Sequence, residues 1–199
     1  MARRQQEKSW QTQQELMRAA FELFGAKGFH ATTVNEITQR AGYAKGSFYR
    51  HWASKDELML QIIKDKLADY RSVRDRRIAQ AENLEEVMHV IWDFLETIIS
   101  DKSWSRVFLE FALHASRHEE LRARLNDEGY RLNNKIFAEL VRPFVPSDFP
   151  PEKIGALNTA LFEGFLIHNV LDTGVLNRTD VKNAAIALAL VNAGADPRC

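Results

Sequence analysis

The sequence of 199 residues has a single cysteine, Cys199, so it offers neither an intrachain disulfide nor a thiolate pair for a zinc site. A lone cysteine is typical of a protein from a reducing compartment. No apolar run approaches the ~18 residues that a membrane-spanning helix requires, the longest candidate being residues 184–191. Residues 1–14 are polar and do not resemble a secretory signal peptide. We therefore expect a cytoplasmic protein with no membrane partner.

The motifs of common enzymes are also missing. The sequence contains no glycine-rich dinucleotide motif, no phosphate-binding loop and no nucleophile elbow. His114 and His118 have the i, i+4 spacing of two metal ligands on one helix face, but the remaining residues of a zincin motif are absent. We expect no catalytic residue, cofactor or metal, and we keep a metal-dependent enzyme as a remote alternative.

The chain also has a formal net charge of zero. Lys plus Arg and Asp plus Glu number 27 each, which by itself argues against a nucleic-acid partner. The charges are nevertheless segregated along the chain. Residues 1–56, which we call the head, contain nine Lys and Arg against five Asp and Glu and carry +4, so residues 57–199, the body, carry −4. This segregation makes a nucleic-acid partner for the head plausible again.

Helical periodicity is abundant, since apolar residues recur at spacings of three and four. Three capping-box patterns predict helix starts, namely Thr12-x-x-Glu15, Thr33-x-x-Glu36 and Ser54-x-x-Glu57. The helix after Ser54 is expected to reach about residue 81. Further helices are predicted at 85–100, 104–115, 119–141, 152–172 and 180–193. The sequence therefore predicts an all-α protein of about nine helices.

Residues 33–52 have the layout of a helix-turn-helix, in which one helix braces the DNA backbone and the next enters the major groove. Phe48 and Trp52, at i and i+4, can anchor the second helix. Lys45 at a helix N-terminus and Gly46 inside a helix both disfavour helix formation. Both are understandable if the helix approaches a negatively charged partner. Spacing alone leaves open that Lys45 and Arg50 are merely solvated.

Residues 12–58 resemble the DNA-binding domain of the TetR family of bacterial transcriptional regulators. The resemblance rests on Gly28-Phe29-x-x-Thr32-Thr33-Val34, on Ala41-Gly42-x-x-Lys45-Gly46-Ser47-Phe48-Tyr49 and on Trp52-x-Ser54-Lys55. Ala44 departs from the family's frequent Ser or Asp and forgoes a side-chain cap of ~1 kcal/mol. The resemblance and the outward positions of the short helix give these candidate DNA-binding residues: Thr33, Lys45, Gly46, Ser47, Tyr49, Arg50, His51 and Lys55.

Within this set the resemblance implies two roles. Lys45 and Gly46 are expected nearest the base edges, whereas Thr33, Tyr49, His51 and Lys55 suit phosphate contacts. One short helix reads few base pairs, so a homodimer on a pseudopalindromic operator is expected. The family pairs through its last two helices, here about 152–172 and 180–193. The fully apolar run 184–191 supports pairing, and its burial within one monomer is the alternative.

The resemblance also implies a small-molecule effector, of unknown identity, bound in the body. Aromatic residues and two histidines at helical spacing are the candidate ligand contacts: Trp92, Phe108, Phe111, His114, Phe137, Phe162, Phe165 and His168. Ordinary core packing is the alternative for each of them. The expected protein is thus a repressor with an N-terminal three-helix DNA-binding domain and a C-terminal ligand-binding and dimerisation domain. A constitutive DNA-binding protein without an effector is the nearer alternative.

Overall fold

The computed structural model describes residues 2–194, without the side chains of residues 2, 3 and 69–72. Cys199, on which the expectation about disulfides rests, lies outside the described residues. Within them the fold is all-helical, as predicted. The helices are α1 (Ala2–Lys27), α2 (Val34–Arg40), α3 (Lys45–Tyr49), α4 (Lys55–Ile78), α5 (Leu84–Ser100), α6 (Lys102–Ala115), α7 (Glu119–Leu125), α8 (Leu132–Val141), α9 (Pro151–Val170) and α10 (Arg178–Asn192).

The predicted start of α1 at Thr12 is wrong, because the helix already begins at Ala2. The Thr12 hydroxyl donates to the Lys8 carbonyl oxygen at 2.9 Å, a bond made inside a helix rather than at its cap. Residues 2–11 are mostly Ala, Arg, Gln, Glu and Lys, which favour helix, and they contain neither glycine nor proline. Nothing in the sequence therefore stops the helix from extending beyond Thr12.

The other two capping patterns begin helices as predicted. Thr33 and Glu36 form the full reciprocal box at the start of α2. The Ser54 hydroxyl accepts from the Glu57 amide at 3.2 Å, while the Glu57 carboxylate accepts from the Ala53 amide at 2.7 Å. Both side chains thus accept hydrogen bonds from backbone amides at the start of α4. The helix ends at Ile78 rather than near residue 81.

The helix predicted at 119–141 is continuous but not uniform. α7 and α8 are joined by a six-residue π-helical turn, Asn126–Arg131, so the chain passes from one to the other without a loop. Counted as one helix with α8, α7 brings the number of helices in the described residues to nine, as predicted. π-Helical turns are uncommon and are often found at functional sites.

Two apolar clusters hold the helices together. The first joins the head to the body, since it contains Phe24 and Phe48 of the head together with Phe111 of α6 and Leu121 of α7. The second lies within the body and joins α5, α8, α9 and α10. The head is therefore packed directly on α6 and α7. No helix among the described residues is long and apolar enough to cross a membrane.

Candidate nucleic-acid interface and ligand cavity

Aromatic residues on its buried side hold the short helix α3 in place. Gly42, with φ of +77°, makes the turn between α2 and α3, a conformation that favours glycine. Phe48 is fully buried and Trp52 nearly so, and their ring centroids are 5.4 Å apart. The predicted anchoring role of both residues is confirmed, and the opposite face of α3 is left towards solvent.

That outer face carries the candidate DNA contacts. Lys45, Gly46, Tyr49 and Arg50 are exposed, whereas Ser47 and His51 are half-buried. A Cβ added at Gly46 would meet no heavy atom within 4 Å, so packing within the chain does not require glycine there. Because Gly46 has no side chain, a partner can approach the backbone closely at this position.

The polar groups of this face are partly occupied by one another. The Arg50 guanidinium donates to the Ser47 hydroxyl at 3.1 Å, and the Lys45 ammonium lies 5.9 Å from the centre of the Tyr49 ring. Burial, followed by the charge of Arg50, lowers the pKa of His51 from its ordinary value. Both causes disfavour the charged form of the His51 imidazole in the free protein.

Two of the expected phosphate contacts have intramolecular roles. Thr33 is exposed, but its hydroxyl donates to the Glu36 carboxylate at 2.7 Å within the cap of α2. The Lys55 ammonium donates to the carbonyl oxygens of Phe29 at 2.6 Å and Thr32 at 2.7 Å. Desolvation lowers its pKa. The structure thus gives Lys55 a role in tying α4 to the loop before α2, and a phosphate contact would require it to leave these carbonyls.

A cavity of about 160 Å³ lies inside the body. α4, α5, α6, α8 and α9 form its walls, together with the π-helical turn. Phe108, Phe137 and Phe162, three of the candidate ligand residues, line the cavity. They stand beside residues that were not candidates: Phe94, Trp104, Tyr130, Asn133, Thr159 and Glu163. An apolar cavity with a few polar groups is the usual form of a small-molecule site.

The other five candidate ligand residues do not line this cavity. Trp92 is buried in the core, where its indole N–H donates to Asn158 at 3.0 Å. Phe165 packs in the same core cluster. Phe111 and His114 face Phe29 of the head, with ring centroids 5.2 and 5.4 Å away. His168 is exposed and lies 3.0 Å from the Thr173 hydroxyl.

The geometry of α6 explains the different surroundings of Phe108 and Phe111. Three residues turn the helix by about 300°, which leaves the two side chains about 60° apart around the axis and about 4.5 Å apart along it, so Phe108 reaches the cavity while Phe111 meets the head. A stripe of aromatic residues in the sequence does not reveal where one neighbour ends and the next begins. Only the packing of the head on α6 decides it.

The sequence reasoning missed a polar pair in the cavity. The Tyr130 hydroxyl donates to the Glu163 carboxylate at 2.5 Å. Burial raises the pKa of Glu163, and burial together with Glu163 raises the pKa of Tyr130. Glu163 stands between Phe162 and Phe165 in an otherwise apolar stretch of α9, and this isolated charge was the signal in the sequence that could have identified it.

The histidine pair at the i, i+4 spacing lies at the contact between head and body. The rings of His114 and His118 are 4.4 Å apart, and His114 Nε2 lies 3.2 Å from the Asp56 carboxylate. Among the side chains that the structure describes, no group of three or more His, Cys, Asp and Glu is arranged to hold a metal ion. The geometry of the described residues thus gives the metalloenzyme alternative no support.

The molecule thus combines a helix-turn-helix whose outer face is exposed to solvent with a helical body that contains a cavity. These two features define the class of ligand-responsive helix-turn-helix regulators. Comparison with known proteins narrows this class. The profile described as "Bacterial regulatory proteins, tetR family" matches residues 16–62. The profile described as "BetI-type transcriptional repressor, C-terminal" matches residues 83–193. The chain belongs to the tetR family of bacterial regulatory proteins.

Individual relatives agree with this assignment. The transcriptional regulator BetI of Agrobacterium fabrum is 28% identical over 166 residues, covering 81% of this chain and 78% of that protein. The repressor KstR2 of Mycobacterium tuberculosis is 33% identical over 86 residues, covering 41% of this chain and only 43% of that protein. FadR from Bacillus subtilis, solved with stearoyl-CoA, has a TM-score of 0.72 at 18% identity, covering 88% and 97% of the two chains, and thus shares the fold.

Proposed function

We propose that the protein is a transcriptional repressor that binds a pseudopalindromic operator as a homodimer and is released by a small-molecule effector. The observation that carries the proposal is the construction of α3. Phe48 and Trp52 fix the helix from inside, and Lys45, Gly46, Tyr49 and Arg50 are left exposed on it. A helix held in this way can enter the major groove without losing its packing.

The charge distribution supports DNA as the partner. The head carries +4, so a dimer would bring +8 to the DNA. Each phosphate that is neutralised makes log K fall with log salt by a slope of about 0.9. The body, at −4, would repel the DNA backbone, which favours an orientation with the heads towards the DNA.

An uncovered apolar face supports the homodimer. Along α9, Leu157, Ala160, Gly164 and Ile167 are exposed at helical spacing. The same surface continues past α9 through Leu171, which is 68% exposed, and Val175, which is 83% exposed. On α10, Ala184 and Val191 are also exposed. Small residues amid larger apolar ones permit two helices to approach closely, so a second copy of the chain fits this face.

The cavity supports an effector and restricts its chemistry. Glu163 has Tyr130 as its partner, and no Lys or Arg of the described residues forms an ion pair with it. Arg74 also lines the cavity, but its guanidinium is paired with Asp75 at 2.8 Å. A partly desolvated carboxyl with no cation paired to it among the described side chains disfavours an anionic ligand. We therefore expect the effector to combine an apolar body with an amine or another hydrogen-bond donor.

Selection of binding sequences from random duplex DNA tests the DNA-binding part. The proposal predicts enrichment of two inverted half-sites, bound by two chains in analytical ultracentrifugation. Failure to enrich any sequence, or binding by one chain, would contradict it.

Three probes with the same alkyl chain test the effector part, namely octylamine, octanol and octanoate. Octylamine is expected to raise the melting temperature of the protein most and to weaken binding to the selected DNA. Octanoate is expected to do neither. If no ligand changes the affinity for DNA, the constitutive DNA-binding protein becomes the better description. A stronger response to octanoate would contradict the expected effector chemistry while leaving DNA binding untouched.

A further inference from the structure

The contact between head and body contains a carboxylate that binds backbone rather than side chains. We call residues 28–33, between α1 and α2, the junction loop. The Glu110 carboxylate of α6 accepts from the Phe29 amide through Oε2 and from the His30 amide through Oε1, both at 2.9 Å. Two adjacent peptide groups of the head are thus held by one side chain of the body.

Neighbouring residues are adapted to this contact. Gly28 has φ of +90°, and a Cβ added there would lie 3.0 Å from Glu110 Oε2. Phe29 is almost completely buried, and its ring packs against Phe111 of α6. The loop therefore inserts a ring into the body and offers two amides to a carboxylate beside it, which fixes both its position and its orientation.

The opposite side of the junction loop is held by the head itself. The Lys55 ammonium donates to the Phe29 and Thr32 carbonyl oxygens and lies 4.3 Å from the centre of the Phe29 ring. Glu110 therefore holds the amides of the loop and Lys55 holds its carbonyls. The last residue of the loop, Thr33, is the cap of α2, so a displacement of the loop also displaces the start of the helix-turn-helix.

The same helix that carries Glu110 also reaches the cavity. Trp104 and Phe108 of α6 line the cavity, and Glu110, Phe111 and His114 contact the head less than two turns further on. α6 therefore contacts both the cavity and the junction loop.

We infer that Glu110 is a positioning residue that sets the angle of the head on the body. The inference rests on the proposed function in one respect, since the angle of the heads matters only to a protein that reads two half-sites. The hydrogen bonds themselves do not depend on that function.

The first test measures the head angle without DNA. Spin labels are placed at the exposed positions Gln39 of α2 and Lys135 of α8, in a Cys199→Ser background, and labelled chains are diluted with unlabelled protein. The wild type is expected to give one narrow distance distribution by pulsed electron resonance. Glu110→Gln replaces one acceptor oxygen with a donor and is expected to broaden it. Glu139→Gln, which removes the same charge from an exposed site on α8, is expected to leave it unchanged.

The second test measures the consequence for DNA. Wild type, Glu110→Gln and Glu139→Gln are titrated with the selected duplex and with duplexes whose half-sites are moved apart by one base pair. We expect Glu110→Gln to reduce the discrimination between these duplexes by about tenfold while binding to a single half-site stays unchanged. A purely structural role would weaken binding to all duplexes alike and would lower the melting temperature.

The two tests distinguish failure of the inference about Glu110 from failure of the proposed function. An unchanged distance distribution in Glu110→Gln overturns the inference whatever the DNA shows. If the wild type selects no DNA, the proposed function fails, while the distance measurement still decides whether Glu110 fixes the head. Should Glu110→Gln yield too little folded protein, Glu110→Asp shortens the side chain by one methylene and must broaden the distribution in the same way.

Discussion

The head and the body differ in how each combines packing with polar chemistry. In the head the two are separated, since α3 buries Phe48 and Trp52 and exposes Lys45 and Tyr49. In the body they are mixed, because Glu163 and Tyr130 lie among aromatic rings in an internal cavity. A surface for a large charged partner can be built on a complete core, whereas a site for a small molecule requires that the core be left incomplete.

The largest expected loss of stability comes from a substitution in the core of the head. Phe48→Ala removes a fully buried ring and should lower the free energy of unfolding by about 3–5 kcal/mol, because no neighbour can fill the space. Phe162→Ala, at the half-buried cavity wall, should cost less than about 1.5 kcal/mol. Urea unfolding of both variants measures the difference, and equal losses would contradict the contrast between a complete core and an open one.

The second prediction compares the contributions of two cations of the head, Lys55 and Arg50, to stability. Lys55→Ala leaves the carbonyls of Phe29 and Thr32 without their donor and should destabilise the protein by about 2 kcal/mol. Arg50→Ala removes the same charge from an exposed position and should change stability by less than about 0.5 kcal/mol. Thermal unfolding measures both. A stable Lys55→Ala variant with weakened binding to every DNA would restore the phosphate role expected from the sequence.

The third effect concerns specificity within α3. Lys45→Ala should weaken binding to the selected operator by about 1–3 kcal/mol and change which sequence is preferred. Tyr49→Ala should weaken binding to selected and scrambled duplexes by the same factor, because it is expected to contact phosphate. Fluorescence anisotropy with both duplexes tests this division of roles, and identical behaviour of the two variants would refute it.

The smallest effect is a pH dependence that originates in the body. Burial raises the folded-state pKa of Glu163 above its ordinary value of 4.5, so the native state holds the proton more tightly than the unfolded state. Its contribution to stability is complete below that ordinary value and is lost as pH rises through the folded pKa. Glu163→Gln should flatten this decline in urea unfolding at a series of pH values. An equal decline in the variant would assign it to another group.

The sequence was informative where a single helix face decides the outcome. The pattern that ends in Phe48 and Trp52 predicts the anchoring of α3, and Thr33-x-x-Glu36 predicts the start of α2, because both depend on local spacing. The cavity depends on which neighbour each face meets. His114 and Phe111 share a stripe with Phe108 but meet the head, and Lys55 is held by carbonyls that are distant in sequence. Such contacts are not encoded in local periodicity.

The account is tested most directly by titrating the purified protein with its selected duplex at several salt concentrations. We predict two chains per duplex and an affinity that falls steeply with salt, although the formal net charge of the whole chain is zero. Lys45→Ala should reduce the preference for the selected over the scrambled sequence. An affinity that is independent of salt, or equal for both sequences in the wild type, would contradict the assignment of DNA reading to the head.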